Sequence, residues 1–441
     1  MRGAFSRHPL LYLLLTLLFL NSTPALSQKE RPCQKSYSKK AVKVFDEGAL
    51  FYKRGDYTTT LTKMDEVLSM EPTYVDAYYV TGLIYYKRYN SNFKIAERNF
   101  LKVIELCPEY DPYVYFYLGE IYYGDDRLEP AVKYLKEFVK DVDKIKSEAD
   151  YDRAIQLLDF STKFLELLSK PVPFNPQVVE DISTNENEYL AILSPDNQEA
   201  FFTREIKLLP DRNSLFNSTR TKEKFMSSTR RDDGTFNEGE EMPVPFNRSD
   251  NEGGATLTID NNTLYYTVCQ WTKNNAYYNC DIYTSEKMNG EWGPIRSVSD
   301  KVNQVNSWES QPSISPDGKT LYFVSDRLGG IGGYDIYKSL KNDKGEWSHP
   351  INLGPVINSK GNEKSPFIHP DGKSLYFSSD GWMGIGKYDI FYSKMDESGS
   401  WKKPKNIGYP INSTEDELGF FVSTDGTKGY FASNKLKGKG G

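Results

Sequence analysis

Apolar positions recur every three to four residues between about residue 37 and residue 170, and then the period collapses to two beyond residue 178. The first spacing predicts amphipathic helices, the second half-buried strands. Within the helical region a single frame returns three times. Gly48, Phe51, Gly55, Tyr57 and Pro72 mark its first pass. Tyr78, Gly82, Tyr85, Ala96, Phe100 and Pro108 mark the second, and Gly119, Tyr122, Ala131 and Leu135 the third. The small residues predict close approach of two helices, the aromatics fill the space between them, and each proline ends a second helix. Residues 151–169 read as a solvated cap helix. The stretch KPVPFNPQ, residues 170–177, carries three prolines and predicts a boundary.

The strand-period region repeats a short turn five times: Ser194-Pro195-Asp196-Asn197, Thr258-Ile259-Asp260-Asn261, Ser315-Pro316-Asp317-Gly318, His369-Pro370-Asp371-Gly372 and Ser423-Thr424-Asp425-Gly426. Proline presets φ, aspartate bonds back to nearby amides, and Gly or Asn takes positive φ. Each turn leads into an alternating run such as TLYFVS. In the later repeats a Gly-rich loop, a strand such as YDIY and a Trp (Trp292, Trp347, Trp401) follow. Four short strands per unit at this spacing predict blades of a β-propeller, since radial closure removes exposed sheet edges. The expected fold is therefore α + β and multidomain: an α-solenoid over 37–170, then a propeller over 178–441, six-bladed and incomplete in its last visible blade. The stretch VVEDIS, before Glu188, is the expected outer strand that latches the last blade, and the chain reads as the N-terminal portion of a longer protein.

The N-terminus changes the setting. A basic start, the 11-residue apolar run LLYLLLTLLFL and the small-x-small site Ala25-Leu26-Ser27 predict a signal peptide over 1–27 and an exported mature chain. No lipobox precedes Cys33. Export permits disulfides. Cys269 and Cys280 flank a ten-residue loop between two strands and are the expected bridge, while Cys107 reads as a core residue on a helix face. A net charge of −6 argues against a nucleic-acid surface.

Two residue sets are candidates for recognition. On the helices, Phe45, Tyr79 and Phe116 share one equivalent position and Tyr52, Tyr86 and Tyr123 another, with Lys53 and Lys87 beside them. They predict a groove for a peptide or helix, or a stripe packed against the next domain. In the strand region a glutamate stands six residues before each turn: Glu188, Glu252, Glu309, Glu363 and Glu417. These glutamates, with Asp326, Asp380 and Asn434 in the Gly-rich loops, define one face near the central channel. They suit either a cation or basic partner, or bonds that latch neighbouring blades, and the latch is the expected role because bare like charges repel. Asp281, Asp335 and Asp389 are expected to cap loop amides. The run from 219 to 241 aligns with the loop and outer strand of the first blade and reads as a solvated insertion, not a partner motif. No nucleophile elbow or His/Cys metal spacing is present, so no catalytic residue, cofactor or metal is expected.

The helical offsets match the 34-residue tetratricopeptide repeat. The SPDG…LYF.SDR.GG.G.YDIY pattern resembles the WD40-like PD40 repeat of TolB-type propellers over about residues 178–441. Together with the signal peptide, the arrangement resembles PorE-like periplasmic proteins of the OmpA family, linked to type IX secretion. The resemblance implies a non-enzymatic scaffold in the periplasm, associated with the outer membrane, whose partners are envelope proteins. It implies contact with peptidoglycan only through a C-terminal domain that this chain lacks. The competing expectation is a propeller that binds or hydrolyses glycans or peptides in its channel.

Overall fold

The computed structural model describes residues 33, 36–88, 93–208, 220–249, 251–271 and 277–433. The chain divides into two compact bodies, Met1–Leu165 and Glu166–Gly441. The expected signal peptide, residues 1–27, lies outside the described residues. Among these, no helix is long and apolar enough to cross a membrane.

The helical body is built from α1 Lys39–Lys53, α2 Tyr57–Met70, α3 Val75–Lys87, α4 Phe93–Leu106, α5 Tyr113–Gly124, α6 Leu128–Val139 and most of α7 Glu148–Ser169. Ser38 and Asp56 cap α1 and α2, accepting the amides of Ala41 and Thr59. Helices pack as α1/α2, α3/α4 and α5/α6. A glycine stands at each crossing: a Cβ on Gly82 would lie 2.7 Å from the Phe100 ring, and one on Gly119 2.6 Å from Leu135. Polar bonds then join one pair to the next. Tyr79 donates to Asp111 at 3.2 Å, Tyr110 to Asp76 at 2.5 Å, and Arg127 grips Glu97 through two bonds of 2.9 and 2.7 Å.

Cys107 corrects the sequence reading. It is core, 1% exposed, yet also bonded to Cys33, with Cα atoms 5.7 Å apart. The repeat frame hid this partner because Cys33 precedes the first helix.

The second body is a ring of antiparallel sheets, β-propeller-like. The first sheet holds β1 Asn187–Leu193, β2 Glu199–Leu208, β3 Arg220–Thr229 and β4 Glu240–Glu241. The second holds β5 Asn251–Leu257, β6 Thr263–Trp271, β7 Tyr278–Met288, β8 Glu291–Trp292 and β9 Arg296–Ser297. The third comprises β10 Glu309–Ile314, β11 Thr320–Ser325, β12 Asp335–Leu340 and β13 Ile351–Asn352; the fourth β14 Glu363–Ile368, β15 Ser374–Ser379, β16 Asp389–Lys394 and β17 Lys405–Asn406. A two-stranded sheet, β18 Glu417–Val422 and β19 Gly429–Ser433, follows. Cys269 and Cys280 face each other in the β6–β7 register and are bonded.

Three expectations fail here. The ring is not six-bladed: β1, β5, β10, β14 and β18 touch in succession, and β18 and β19 return to β1. Closure rests on the innermost strands and on β19, so it needs no outer strand of the fifth sheet. VVEDIS forms no strand; Val179 and Ile182 pack on Phe202 and Met226 of the first sheet. Residues 220–229 are no insertion but β3, paired with β2 along its whole length. The proline-rich segment also behaves differently from a free linker: the Val172 amide donates to the Tyr409 carbonyl, and Phe174 meets Phe431.

Side-chain hydroxyls join the sheets. Thr203 accepts the amide of Gly254, and Thr267 that of Gln311, each at 3.0 Å. Thr256 and Ser313 take the amides of Ile314 and Ile368 in the next inner strand.

Candidate functional site

Each ring glutamate opens an innermost strand or stands one residue inside it, just past a loop that turns back on it. Glu309, Glu363 and Glu417 are 0% exposed and Glu252 1%. Both carboxylate oxygens are engaged in all five. Glu188 accepts the Thr184 amide and hydroxyl and the Arg204 guanidinium. Glu252 accepts the amides of Asn247 and Ser249. Glu309 accepts from the Gln304 amide, Ser307, Ser325 and Arg327. Glu363 and Glu417 each accept an amide and hydroxyl of one serine, Ser359 or Ser413, plus a second hydroxyl from Ser379 or Ser433. Burial raises the Glu363 carboxyl above the ordinary range. Such a ring latches loops to strands and leaves no oxygen facing a ligand. Asp326 likewise accepts the Trp308 amide, and Asp380 the Asn362 amide and side chain. Asn434 lies outside the described residues.

Two residues past each glutamate the inner strand bulges into left-handed backbone: Leu190, Gly254, Gln311, Ser365 and Gly419 have φ of 50°, 55°, 54°, 51° and 66°. These five line the axis. The axial cavity is only about 40 Å³, and a second, toward the Pro195, Pro316 and Pro370 turns, about 60 Å³.

Two of the repeated aspartates, Asp335 and Asp389, hold the Gly-rich loops, while Asp281 accepts the Asn279 side chain. Asp335 accepts the amides of Ile331 and Gly332 and the Asn352 side chain, and Asp389 those of Ile385 and Gly386. Burial pushes Asp389 up to about 7 and, with Glu309 adding repulsion, Asp281 up to about 6. Sequence reading missed a parallel device. Asn247, Asn303, Asn358 and Asn412 each accept the amide and donate to the carbonyl of one third-strand residue, Phe225, Ile282, Ile336 or Ile390. The signal was visible as an asparagine five or six residues before each of the last four glutamates. It also missed Lys364, whose ammonium lies between the rings of Tyr334 and Tyr388 at 5.0 and 5.1 Å.

On the helical body the predicted groove set divides. Phe45 and Phe116 are core, 7% and 5% exposed. Tyr79 and Tyr86 are tied to Asp111 and Glu120 of the next pair, and Tyr123 packs edge-on against Phe160 at 5.8 Å. Tyr52 is half-buried against Tyr57, and Lys53 and Lys87 are exposed. Open space lies one residue, about 100°, around α3. There Tyr78 and Tyr85 of α3, Leu61 and Leu68 of α2, and Arg98 and Leu101 of α4 line a groove of about 780 Å³. The Thr81 hydroxyl on its wall is buried and without a partner.

No protein-family model matches the chain, and no curated protein matches it. Solved structures similar to it include a puromycin-hydrolysing peptidase of Mycobacterium tuberculosis (14% identity, TM-score 0.31), of which the chain spans 39% while 57% of the chain is covered. A putative glycosidase of Bacteroides thetaiotaomicron aligns over 60% of this chain and 97% of its own at 10% identity and TM-score 0.34. A glycosyl hydrolase of Bacteroides ovatus aligns over 58% and 92% at 10% identity and TM-score 0.33. Likeness this distant carries no argument about chemistry.

Proposed function

We propose that this chain is a non-enzymatic scaffold that binds other polypeptides through its surfaces. The contrast in available space carries the reading. The axial cavities of about 40 and 60 Å³ fall far below the ~300–1,000 Å³ of a site that encloses a small ligand, while the helical groove offers about 780 Å³ of open, mixed apolar and charged surface. The repeated glutamates are consumed by their own loops and neighbouring side chains, which supports the same reading. By the resemblance of its repeats, the proposed setting is the periplasm beside the outer membrane. The proposed partners are envelope proteins, in type IX secretion or a related OmpA-family role, with no cofactor.

A second reading, turnover of glycans or peptides at the propeller, has one observation in its favour: carboxyls raised by burial to about 6 and 7 at Asp281 and Asp389. The experiment compares both. Cross-linked pull-downs from envelope fractions use wild type, Leu68→Asp with Arg98→Glu, and the triple Tyr52, Tyr86 and Tyr123 to Ala variant. Loss of defined partners in the Leu68→Asp, Arg98→Glu variant, whose residues line the groove, supports the scaffold. Full partner retention in both, together with substrate turnover that Asp281→Asn abolishes, overturns it.

A further inference from the structure

The groove over α3 is walled by helices alone. Leu61 and Leu68 line it from α2, Tyr78 and Tyr85 from α3, and Arg98 and Leu101 from α4. On each helix the lining residues recur at helical spacing, so the walls are ridges of side chains. The backbone inside those ridges is already spent on helical bonds. An extended segment laid here would bury amides and carbonyls with nothing to bond, whereas a helix satisfies its own.

Size points the same way. From Lys94 to Glu105, both in the lining, α4 runs ~17 Å. Spread over that length, about 780 Å³ is a section of ~45 Å², roughly half that of a helix ~10–12 Å across. The groove takes one face of a helix and leaves the other in water.

Its two lips differ in sign. Lys94 and Arg98 stand one turn apart on the α4 lip, both exposed, and neither forms an ion pair among the described residues. Asp65 on the α2 lip is exposed and likewise unpaired. The other acids of the lining are taken, Glu97 by Arg127 and Glu105 by Lys102 at 2.6 Å.

We propose that the groove seats an amphipathic helix of another polypeptide, with acids one turn apart along the flank that meets Lys94 and Arg98 and a base on the flank that meets Asp65. This partner chemistry rests on the scaffold reading. Acids at i and i+4 match the spacing of the two cations on α4, while the apolar ridge between the flanks lies over Tyr78 and Tyr85. Charges exposed at the lips make the affinity fall with salt.

The test uses the chain from residue 28 and fluorescence anisotropy with labelled leucine-faced peptides. The first carries glutamates along one flank and lysines along the other, the second lysines along both, and the third repeats the first with a central proline. The expected result is saturable binding of the first, one per chain, weakened at least about tenfold by Lys94→Glu with Arg98→Glu. Lys133→Glu with Lys136→Glu, the same charge change at exposed positions of α6, leaves it unchanged. The lysine-only peptide binds the wild type at least about tenfold more weakly and gains on the Lys94→Glu, Arg98→Glu variant, and the proline peptide is silent.

Equal or tighter binding of the lysine-only peptide to the wild type overturns the proposal, and so does equal binding of the proline peptide. With no peptide bound, loss of pull-down partners in Leu68→Asp with Arg98→Glu removes the acidic helix and leaves the scaffold; partners kept there remove both. Self-association of the wild type that Lys94→Glu with Arg98→Glu abolishes also overturns it, because a second copy then fills the groove.

Discussion

Gln311 stands in for a missing hydroxyl: its side-chain carbonyl accepts the Ser365 amide at 2.7 Å. At the two preceding junctions the equivalent amides, on Gly254 and Gln311, are taken by Thr203 and Thr267 from the neighbouring second strand. The third sheet has Val324 at that place, opposite Ser310 as Thr203 is opposite Tyr189. One left-handed residue thus donates its amide to the previous sheet and accepts an amide from the next.

Gln311→Met leaves the buried Ser365 amide unmatched and should cost about 1–3 kcal/mol. Adding Val324→Thr restores a hydroxyl at the position used elsewhere and should recover most of the loss. Urea midpoints of the single and double variants check both. An unrecovered double variant shows that Gln311 acts through packing and not through this bond.

The asparagine clamp gives a larger expected effect. Asn358 is 1% exposed and both satisfies the Ile336 amide and donates to its carbonyl, at 2.8 and 3.0 Å. Asn358→Ala strips two buried backbone groups at once and should destabilise the ring by about 2–4 kcal/mol, near twice the single-bond figure. Asn358→Asp should be nearly as damaging, because a carboxylate cannot donate to the carbonyl. Thermal unfolding of both variants checks this.

How far the sequence foretells this molecule depends on what each signal measures. Gly48, Gly82 and Gly119 announced helix crossings because only a missing Cβ lets Met64, Phe100 and Leu135 approach. The Pro-Asp-Gly turns announced strands because their backbone chemistry is local. Ring number was not legible: it depends on how β18 meets β1, a contact between residues more than two hundred positions apart. The glutamates were legible as a repeat, and their partners less so, since Glu363 and Glu417 use serines where Glu188 and Glu309 use arginines. The tyrosine rows misled because equivalence between repeats does not separate a residue that lines a surface from one that packs on the next pair. Tyr86, bonded to Glu120, does the latter.

The two disulfides should contribute unequally. Cys33–Cys107 closes a span of 74 residues and Cys269–Cys280 one of 11. Loop-closure entropy then assigns about 4 kcal/mol to the first and about 3 kcal/mol to the second. Cys33→Ser with Cys107→Ala should therefore lower the stability of the helical body more than Cys269→Ala with Cys280→Ala lowers that of the ring. Separate unfolding transitions, followed by hydrogen exchange on each body, check the order.

Asp389 should make the ring less stable as pH rises through the weakly acidic range. Its Oδ2 accepts both loop amides, while its Oδ1 is buried without a partner, as is the Asn406 side-chain nitrogen. The matching Asp335 uses both oxygens and also gains the Asn352 amide group. Burial raises Asp389 from the ordinary 3.8 to about 7. The folded chain therefore holds a proton that the unfolded chain has already released, so stability is full below about pH 4 and drains away up to about pH 7. The steepest loss is about 1.4 kcal/mol per pH unit for one proton. Asp389→Asn removes the titration, so the difference in unfolding free energy between wild type and variant should change steadily from pH 4 to 7 and then level off. Asp281→Asn should act with the same sign over a narrower window ending near pH 6. A difference that is flat across this range, or that grows in the wild type's favour with rising pH, means that Asp389 folds already ionised and that its bare oxygen is met by water.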